Sequence, residues 1–419
     1  MNKFNRDFLL GASTAAHQVE GNNKNSDFWA MEQVPGSLFK EPSMDAVDQY
    51  NRYREDIDLL AEAGLNAYRF TIEWARIEPE KGCFDSAEVS HYRDVIDYCR
   101  SRDIEPVVTM HHFSSPKWLI MQGGWENEQT ADLFAGYCGH VVSKLGDSLK
   151  YVCTINEANM GLQLMKIMRD MMNRKGAVQV GINADAMQKG MAERMAGMSA
   201  AFGGMDPRTI NHFLSGRTPE GDNVIINAHE KARDAMKAIC PHLMVGITLS
   251  LHDFQALPGG EGYAQAEYEE ELLHYLQHLL KDDFIGVQNY TRKLVGPGGT
   301  QQPPEGAELT QMGYEFYPQA ISNVVRYVAR HFDRPILITE NGIGTLDDKR
   351  RQAFIQEALT GIQACIADGL PVIGYLHWTL LDNFEWMLGY IPKFGLIAVD
   401  RETQTRYPKE SLKLLGSYR

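Results

Sequence analysis

Residues 335–342 read Pro-Ile-Leu-Ile-Thr-Glu-Asn-Gly, an aliphatic run that ends in a carboxylate followed by an amide. A run that is apolar at successive positions is typical of a parallel strand buried on both faces. Seven other short runs of β-branched and apolar residues occur along the chain, at 8–13, 66–71, 105–111, 151–156, 245–250, 284–290 and 372–378. Together with the run at 335–340 they give eight candidate strands.

Helical sequence separates these strands. Residues 50–63 carry apolar positions at helical spacing and end at Gly64, and residues 348–369 do the same before the last strand. Eight alternations of strand and helix predict the α/β class, as a single closed (β/α)₈ TIM barrel rather than an open doubly wound sheet. The most linker-like stretch, 296–306, is short and follows the sixth strand, so it is interpreted as a βα loop. We therefore expect residues 1–419 to form one barrel domain.

The composition excludes several classes of partner. The chain has 41 basic and 55 acidic residues, a formal net charge of −14, and no long basic run, so nucleic acid is not an expected partner. No apolar stretch approaches the roughly 20 residues that a membrane-spanning helix needs, and the N-terminus lacks a signal-peptide pattern. Six scattered cysteines form no Cys-x-x-Cys pair. They are interpreted as reduced thiols, which favours a cytoplasmic location.

One segment is unusual in composition. Residues 160–205 hold ten of the nineteen methionines, on sequence with helical character. One interpretation is a helix or helix pair that uses methionine as adaptable core filler. The other is a soft apolar wall beside a binding site.

Polar, titratable and aromatic residues follow five of the apolar runs. They are His111-His112, Asn156-Glu157, Asn289-Tyr290, Glu340-Asn341 and His377-Trp378. In a (β/α)₈ barrel the reactive groups lie at the C-terminal ends of the strands, so these side chains should share one rim.

Two of these residues, Glu157 and Glu340, are carboxylates on the fourth and seventh strands. Glycoside hydrolysis needs such a pair, one to protonate the leaving oxygen and one to attack or to activate water. A separation of roughly 5 Å leads to retention of configuration and a wider one to inversion, and the sequence leaves that distance open.

From end to end the chain resembles the family 1 glycoside hydrolases, the β-glucosidases and their relatives. The motifs that carry the resemblance stand at 8–21, 66–79, 109–113, 154–157, 338–342 and 377–386. The last two, Ile-Thr-Glu-Asn-Gly and His-Trp-Thr-Leu-Leu-Asp-Asn-Phe-Glu-Trp, are highly specific. The resemblance implies a retaining mechanism without a metal or an organic cofactor.

The resemblance also implies roles for individual residues. Glu340 corresponds to the nucleophile, and Glu157 to the general acid/base, whose pKa the charge of Glu340 should raise. Arg69 and Tyr290 look like the partners that keep Glu340 ionised, with Asn289 as further support. The residues that correspond to a sugar-binding set are Gln18, His111, Asn156, Trp378, Glu385 and Trp386. By contrast, His17, His112 and His377 are interpreted as structural.

The sequence departs from the family pattern in the residue after Glu157. Many relatives have proline there, whereas this chain has Ala158, which restores a backbone donor. The methionine-rich segment that follows lies where relatives build the leaving-group side of the site. The role of neither feature follows from the sequence.

The leading hypothesis is hydrolysis of non-reducing terminal β-D-glycosides, above all β-glucosides, with transglycosylation as a further outcome. The expected partners are small β-glycosides or short oligosaccharides, and the oligomeric state stays open. A 6-phospho-β-glycosidase is disfavoured because Glu385 would repel a phosphate. A barrel that binds sugar without catalysis is disfavoured because both Glu157 and Glu340 are present. Methionine content favours apolar aryl leaving groups over a second sugar.

Overall fold

The structure is a computed structural model that describes residues 3–173 and 184–419. Its strands, in chain order, are β1 (Leu9–Ser13), β2 (Ala67–Thr71), β3 (Glu105–His111), β4 (Tyr151–Ile155), β5 (Met244–Gly246), β6 (Thr248–Ser250), β7 (Asp253–Ala256), β8 (Ile285–Gln288), β9 (Arg292–Gly296), β10 (Gly299–Thr300), β11 (Ile336–Asn341), β12 (Val372–Trp378), β13 (Ile397–Val399) and β14 (Arg406–Pro408).

The α-helices are α1 (Ala16–Val19), α2 (Asp27–Glu32), α3 (Gln49–Glu62), α4 (Trp74–Ile77), α5 (Ser86–Ser101), α6 (Lys117–Ile120), α7 (Gln129–Leu145), α8 (Met160–Asn173), α9 (Ala184–Ala201), α10 (Pro219–Ile239), α11 (Glu261–Tyr268), α12 (His274–Leu276), α13 (Ala320–Ala329), α14 (Asp348–Ala367) and α15 (Glu410–Gly416). In the described ranges, no helix combines the length and the apolar character needed to cross a membrane.

A parallel sheet closes on itself to form the centre of the molecule. Its order is β5-β4-β3-β2-β1-β12-β11-β8-β6. Because only Ile247 separates β5 from β6, these two pieces are one fifth strand, which pairs with β4 through its first half and with β8 through its second. The eight-stranded (β/α)₈ barrel expected from the sequence is therefore confirmed.

The burial of the strands explains why the apolar runs form them. Every residue of β11 is buried, as a strand between the barrel interior and an outer layer of helices requires. Small and apolar side chains fill the interior around Leu9, Val107, Cys153, Phe284 and Leu337. A much larger apolar layer packs between the strands and the surrounding helices.

Helix ends follow local chemistry. Helix α14 begins after Asp347, whose carboxylate accepts a hydrogen bond from the Lys349 amide, and the chain leaves the helix at Gly369 with φ of +83°. The helices predicted at 50–63 and 348–369 therefore lie where expected, each within two residues at its ends. The methionine-rich span 160–205 contains the whole of α8 and α9, and the ten residues 174–183 between these helices lie outside the described residues.

The stretch 296–306 follows the sixth barrel strand, as expected of a βα loop, but it opens with a hairpin. Strands β9 and β10 pair antiparallel, and positive φ occurs at Gly298 in the turn between them and at Gly299, the first residue of β10. Strand β9 also pairs with β7, so the loop carries a small three-stranded sheet beside the barrel.

The C-terminal hairpin is tied to the barrel's outer layer by a buried ion pair. The Arg406 guanidinium donates to both carboxylate oxygens of Asp56 on α3, at 2.8 and 3.1 Å, and to the carbonyl of Val47. Both side chains are almost fully buried. Removing one partner would leave the other charge buried without compensation.

We expect Arg406→Met to lower the free energy of unfolding by about 3–5 kcal/mol, because Asp56 would remain buried without its cation. Chemical unfolding of the variant and the wild type measures this. Lys413→Met, which removes an exposed ion pair with Glu410, is the control and should change the free energy by less than about 1 kcal/mol. Similar losses in the two variants would contradict the assignment.

Candidate active site

A cavity of about 400 Å³ opens at the C-terminal ends of the barrel strands. The residues around it include His112, Phe113, Glu157, Met160, Gln163, Leu164, Ile167, Ser250, His252, Asn289, Tyr290, Thr291, Lys293, Met312, Tyr314, Glu340, Trp378, Glu385, Trp386 and Phe394. Polar groups at its floor and an apolar wall at its mouth give it the character of a small-molecule site. A larger cavity of about 1070 Å³ lies at the other end of the barrel, where the strands begin, a face associated with stability rather than catalysis.

Glu340 lies at the floor of the cavity and accepts three hydrogen bonds. Its Oε1 accepts from Arg69 Nη1 at 2.7 Å and from Gln288 Nε2 at 2.9 Å, and its Oε2 accepts from the Tyr290 hydroxyl at 2.6 Å. A carboxylate has about four lone-pair sites, two on each oxygen. The remaining free site is therefore on Oε2.

Glu157 faces the same cavity from the end of β4. Its backbone has a φ of +44°, in the left-handed region that residues with a Cβ rarely adopt. Thr248, on the second half of the fifth strand, holds this backbone through its Oγ1, which accepts from the Glu157 amide at 3.1 Å.

The two carboxyl groups differ in their affinity for a proton. Burial, followed by the negative charge of Glu340, holds the pKa of Glu157 well above its usual range. Burial also raises the pKa of Glu340, but Arg69 and Tyr290 oppose that rise. Glu340 therefore loses its proton first, and Glu157 keeps its proton to higher pH. The expected direction for Glu157 holds, with burial rather than Glu340 as the larger cause.

A third carboxyl group, Glu385, also lines the cavity. Burial and then the charge of Glu340 raise its pKa to about 8. Gln18 donates from Nε2 to Glu385 Oε2 at 3.2 Å and to the Phe384 carbonyl at 2.6 Å. Within the described chain, Gln18 Oε1 is buried without a partner, so this amide has an acceptor available for a ligand.

Two tryptophans and a histidine form the aromatic side of the cavity. The His112 ring stacks on Trp378 and Trp386, with centroids 5.5 and 6.1 Å apart. Burial keeps the pKa of His112 well below its usual range, so the ring is neutral. Asn156 Nδ2 lies 3.2 Å from His112 Nε2 and donates to it, which puts the ring proton on Nδ1, an atom with no partner among the described residues.

The structure places His111 differently from the sequence-based expectation. Its Nε2 lies 2.9 Å from Ser115 Oγ, and its ring packs on Trp125 and Phe213, behind the cavity wall. The histidine that lines the cavity is His112, which the sequence analysis interpreted as structural. The physical reason is a change of spacing at the end of the strand.

In a regular strand, every second side chain faces the barrel interior. At the ends of β3 and β4, the interval between inward-facing residues is three. Thr109 bonds Arg69 inside the barrel, and the next inward residue is His112. On β4 the same step leads from Cys153 to Asn156, which also reaches Arg69. The sequence analysis assigns the sugar-binding role to His111 from the family resemblance, and a strictly alternating strand would also turn that residue inward.

The other expected residues lie in or directly behind the cavity. Asn156 is fully buried, and its Oδ1 accepts from Arg69 Nη2 at 2.5 Å and from Gln288 Nε2 at 2.7 Å. Asn289 lines the cavity, but its Nδ2 donates to the carbonyls of Leu251 and Thr291. Both amides therefore hold neighbouring groups in place.

Sequence reasoning missed Gln288 and Thr248. Gln288 bridges Glu340 and Asn156, and Thr248 holds the backbone of Glu157. Gln288 stands one residue before the Asn289-Tyr290 pair, so its place at a strand end was the available signal. Across the described ranges, no three or more His, Cys, Asp or Glu side chains cluster as a metal site.

Two buried carboxyl groups with different proton affinity, facing one cavity on the C-terminal rim of a (β/α)₈ barrel, define the class of barrel glycosidases. Comparison with known proteins gives the family. The family model described as glycosyl hydrolase family 1 matches residues 1–169 and 264–418. The chain belongs to this family and is an O-glycoside hydrolase, as expected from the sequence.

Several known proteins are similar to this chain. A β-glucosidase of Agrobacterium sp. (strain ATCC 21400) is 30% identical, over 98% of this chain and 94% of that protein. Among solved structures, a β-glycosidase designated BGL167 is 46% identical with a TM-score of 0.90, over 100% of this chain and 97% of the other. A β-glucosidase designated 1317 is 42% identical with a TM-score of 0.87, over 98% and 97%.

The family model leaves residues 170–263 unmatched. This span follows the first part of α8 and contains α9 and α10. It includes most of the methionine-rich segment. Residues 158–169, directly after Glu157, still match the family model, and the unmatched span begins within α8.

Glu385→Gln should stabilise the fold above neutral pH. Because the folded pKa of Glu385, about 8, exceeds its unfolded value, its contribution to stability is greatest below pH 4.5 and is lost as pH rises toward 8. We expect the variant to match the wild type near pH 4.5 and to exceed it by about 2–4 kcal/mol at pH 8. Chemical unfolding at the two pH values measures this gap.

Glu62→Gln on the exposed face of α3 is the control, and its effect should not depend on pH. A gap for Glu385→Gln that is equal at both pH values would show that the Glu385 carboxyl is not costly to ionise in the folded protein.

Proposed function

We propose that the protein hydrolyses non-reducing terminal β-D-glycosides, above all β-glucosides, with retention of configuration. Glu340 is the proposed nucleophile and Glu157 the proposed general acid/base. The observation that carries the proposal is the unequal proton affinity of these two buried carboxyl groups in one cavity. The similarity to the Agrobacterium β-glucosidase supports the choice of substrate.

In the first step Glu340 Oε2 attacks the anomeric carbon, because that oxygen has a free lone pair. The bond from the anomeric carbon to the leaving oxygen breaks, and Glu157 gives its proton to that oxygen. Arg69 and Gln288 hold Oε1 and orient the carboxylate. The product of this step is a glycosyl ester on Glu340.

In the second step water attacks the anomeric carbon and restores the Glu340 carboxylate. Once Glu340 is an ester its charge no longer raises the pKa of Glu157, so the ionised Glu157 accepts the proton of the water. An acceptor sugar in place of water gives transglycosylation by the same chemistry.

We propose that the sugar binds between the aromatic side of the cavity and Glu385. Trp378 and Trp386 offer flat faces to the pyranose ring. Gln18, Glu385 and the Nδ1 proton of His112 are the proposed hydrogen-bonding groups. Asn156 contributes by holding Arg69 and His112, and His112 takes the role that the sequence analysis gave to His111.

The leaving group would face an apolar wall. Met160, Leu164 and Ile167 from α8 line the cavity mouth together with Met312 and Tyr314 from the loops after the sixth strand. This apolar surface supports a preference for aryl leaving groups, because a phenyl ring would bury more apolar area against it than a second glucose would.

Two further proposals concern the whole chain. Residues 1–419 are proposed to act as one catalytic domain, since β1 pairs with β12 and α15 packs on α14. The proposed location is the cytoplasm, because the six cysteines are unpaired thiols, five of them buried.

Glu340→Gln should reduce kcat/KM for 4-nitrophenyl β-D-glucoside by at least about 10³-fold, because an amide cannot form the ester. Glu157→Gln should reduce it less for this activated substrate than for the unactivated phenyl glucoside. Glu402→Gln, on the exposed turn between β13 and β14, is the control and should have no effect. Nitrophenol release and proton NMR of the first-formed sugar anomer are the measurements.

A first-formed α-anomer would rule out retention. A wild type that binds glucosides but turns over none of them, nor galactosides, fucosides or 6-phospho analogues, would favour a sugar-binding protein instead.

Leu164→Ser should lower kcat/KM for aryl glucosides roughly tenfold while changing that for cellobiose by less than about threefold, because it removes apolar contact area only from an aryl group. Ile239→Ser, an exposed isoleucine at the end of α10, is the control and should change neither. Equal losses on the two substrates would contradict an aryl-binding wall.

A further inference from the structure

The backbone just after Glu157 is held in a conformation that it would not adopt alone. Glu157 has a φ of +44°, and residues 157–160 turn from β4 into α8. A left-handed residue with a Cβ is unfavourable and persists only where its surroundings fix it. The direction of the Glu157 side chain depends on whatever fixes this turn.

Two groups hold the turn from opposite sides. Thr248 accepts from the Glu157 amide through Oγ1 and from the Ala158 amide through its carbonyl, both at 3.1 Å. Arg217 reaches in from the segment between α9 and α10, and its Nη1 donates to the Ala158 carbonyl at 2.6 Å. The backbone N–H group and the backbone carbonyl of Ala158 are therefore both held by hydrogen bonds.

Arg217 is itself fixed in place. Its Nη2 donates to the Phe213 carbonyl at 3.0 Å, its guanidinium lies 4.7 Å from the centre of the Phe213 ring, and its amide donates to the Gly161 carbonyl at 3.2 Å. A Cβ on Gly161 would lie 2.6 Å from Arg217 Cζ, so only glycine admits this approach. Arg217 is 3% exposed.

Burial lowers the pKa of Arg217, and the acidic groups of Tyr275, Asp222 and Glu126 oppose that effect without forming a direct ion pair with it. Within the described chain, the Arg217 guanidinium donates to the carbonyls of Ala158 and Phe213 and forms no ion pair with a carboxylate. A buried charge without a counter-ion is costly.

The electrostatic influence on Glu157 comes mainly from other groups. The largest charge effects on the pKa of Glu157 are those of Glu340, Arg69 and Glu385. Arg217 contacts the Ala158 carbonyl rather than the Glu157 carboxyl. Its effect on Glu157 is therefore one of geometry.

We propose that Arg217 is a positioning residue that holds the Ala158 carbonyl and thereby aligns the Glu157 carboxyl with the oxygen of the leaving group. This inference rests on the proposed role of Glu157 as general acid. It gives the segment that follows α9 a part in the reaction, although it contributes no group that touches the substrate.

The inference has a specific kinetic consequence. A misaligned acid slows the departure of a basic phenolate, which needs a proton, more than that of an acidic phenolate, which leaves without one. Loss of Arg217 should thus steepen the dependence of kcat/KM on the pKa of the leaving phenol. A general loss of folding or binding would lower all substrates by one common factor.

The experiment compares Arg217→Met, Arg217→Lys and wild type on a series of aryl β-glucosides from 2,4-dinitrophenyl to phenyl. We expect Arg217→Met to lose about 10²-fold on the phenyl glucoside and less than about threefold on the dinitrophenyl glucoside. Arg217→Lys, which keeps a charged donor, should recover part of the loss on the phenyl glucoside. Arg208→Met is the control, since that side chain is 80% exposed in the same connection.

The outcomes separate the proposals. An equal loss across the series, or no loss, overturns the role of Arg217 while the proposed function stands. If Arg217→Met does not fold by circular dichroism, Arg217→Lys decides the matter by the same comparison of slopes. A wild type inactive on every aryl glycoside overturns the proposed function itself.

Discussion

The site depends on one buried ion pair, Arg69 with Glu340. Arg69 is fully buried on β2, and its guanidinium also donates to Thr109 on β3 and Asn156 after β4. Burying a guanidinium is costly unless acceptor oxygens surround it closely, and around Arg69 these are the oxygens of Glu340, Thr109 and Asn156. The barrel meets that condition because it brings the ends of β2, β3, β4 and β11 to one place. The contacts between Arg69 and Glu340 at the floor of the cavity thus depend on closure of the sheet.

Around this pair the cavity combines charge with burial. Glu157, Glu340 and Glu385 all line it, and burial raises the pKa of each. Only Glu340 also receives a guanidinium and a phenol, so the three carboxyl groups do not ionise together. Water alone would give all three nearly the same pKa. The difference in pKa that the proposed acid and the proposed nucleophile require is created by their positions in the cavity.

The sequence was sufficient for the strands and for the two main carboxylates, because aliphatic runs and the polar residues that end them are local patterns. It was insufficient where geometry changes at a strand end. A rule that inward residues alternate does not predict the step of three residues from Thr109 to His112. It also does not predict that the fifth strand is interrupted at Ile247, directly before Thr248. Contacts such as those of Gln288 with Glu340 and Asn156 join residues far apart in the chain. No local pattern encodes such contacts.

The two halves of the cavity come from different parts of the chain. The sugar side is built on the barrel strands and on the loop after β12, whereas α8 supplies much of the opposite wall. Helix α8 carries Met160, Leu164 and Ile167 outward from a turn that Thr248 and Arg217 anchor at its base. Such a division of labour makes the enzyme evolvable. Under the proposed function, replacing the outer turns of one helix could exchange one leaving-group preference for another, while Glu157 and Glu340 inherit their alignment unchanged.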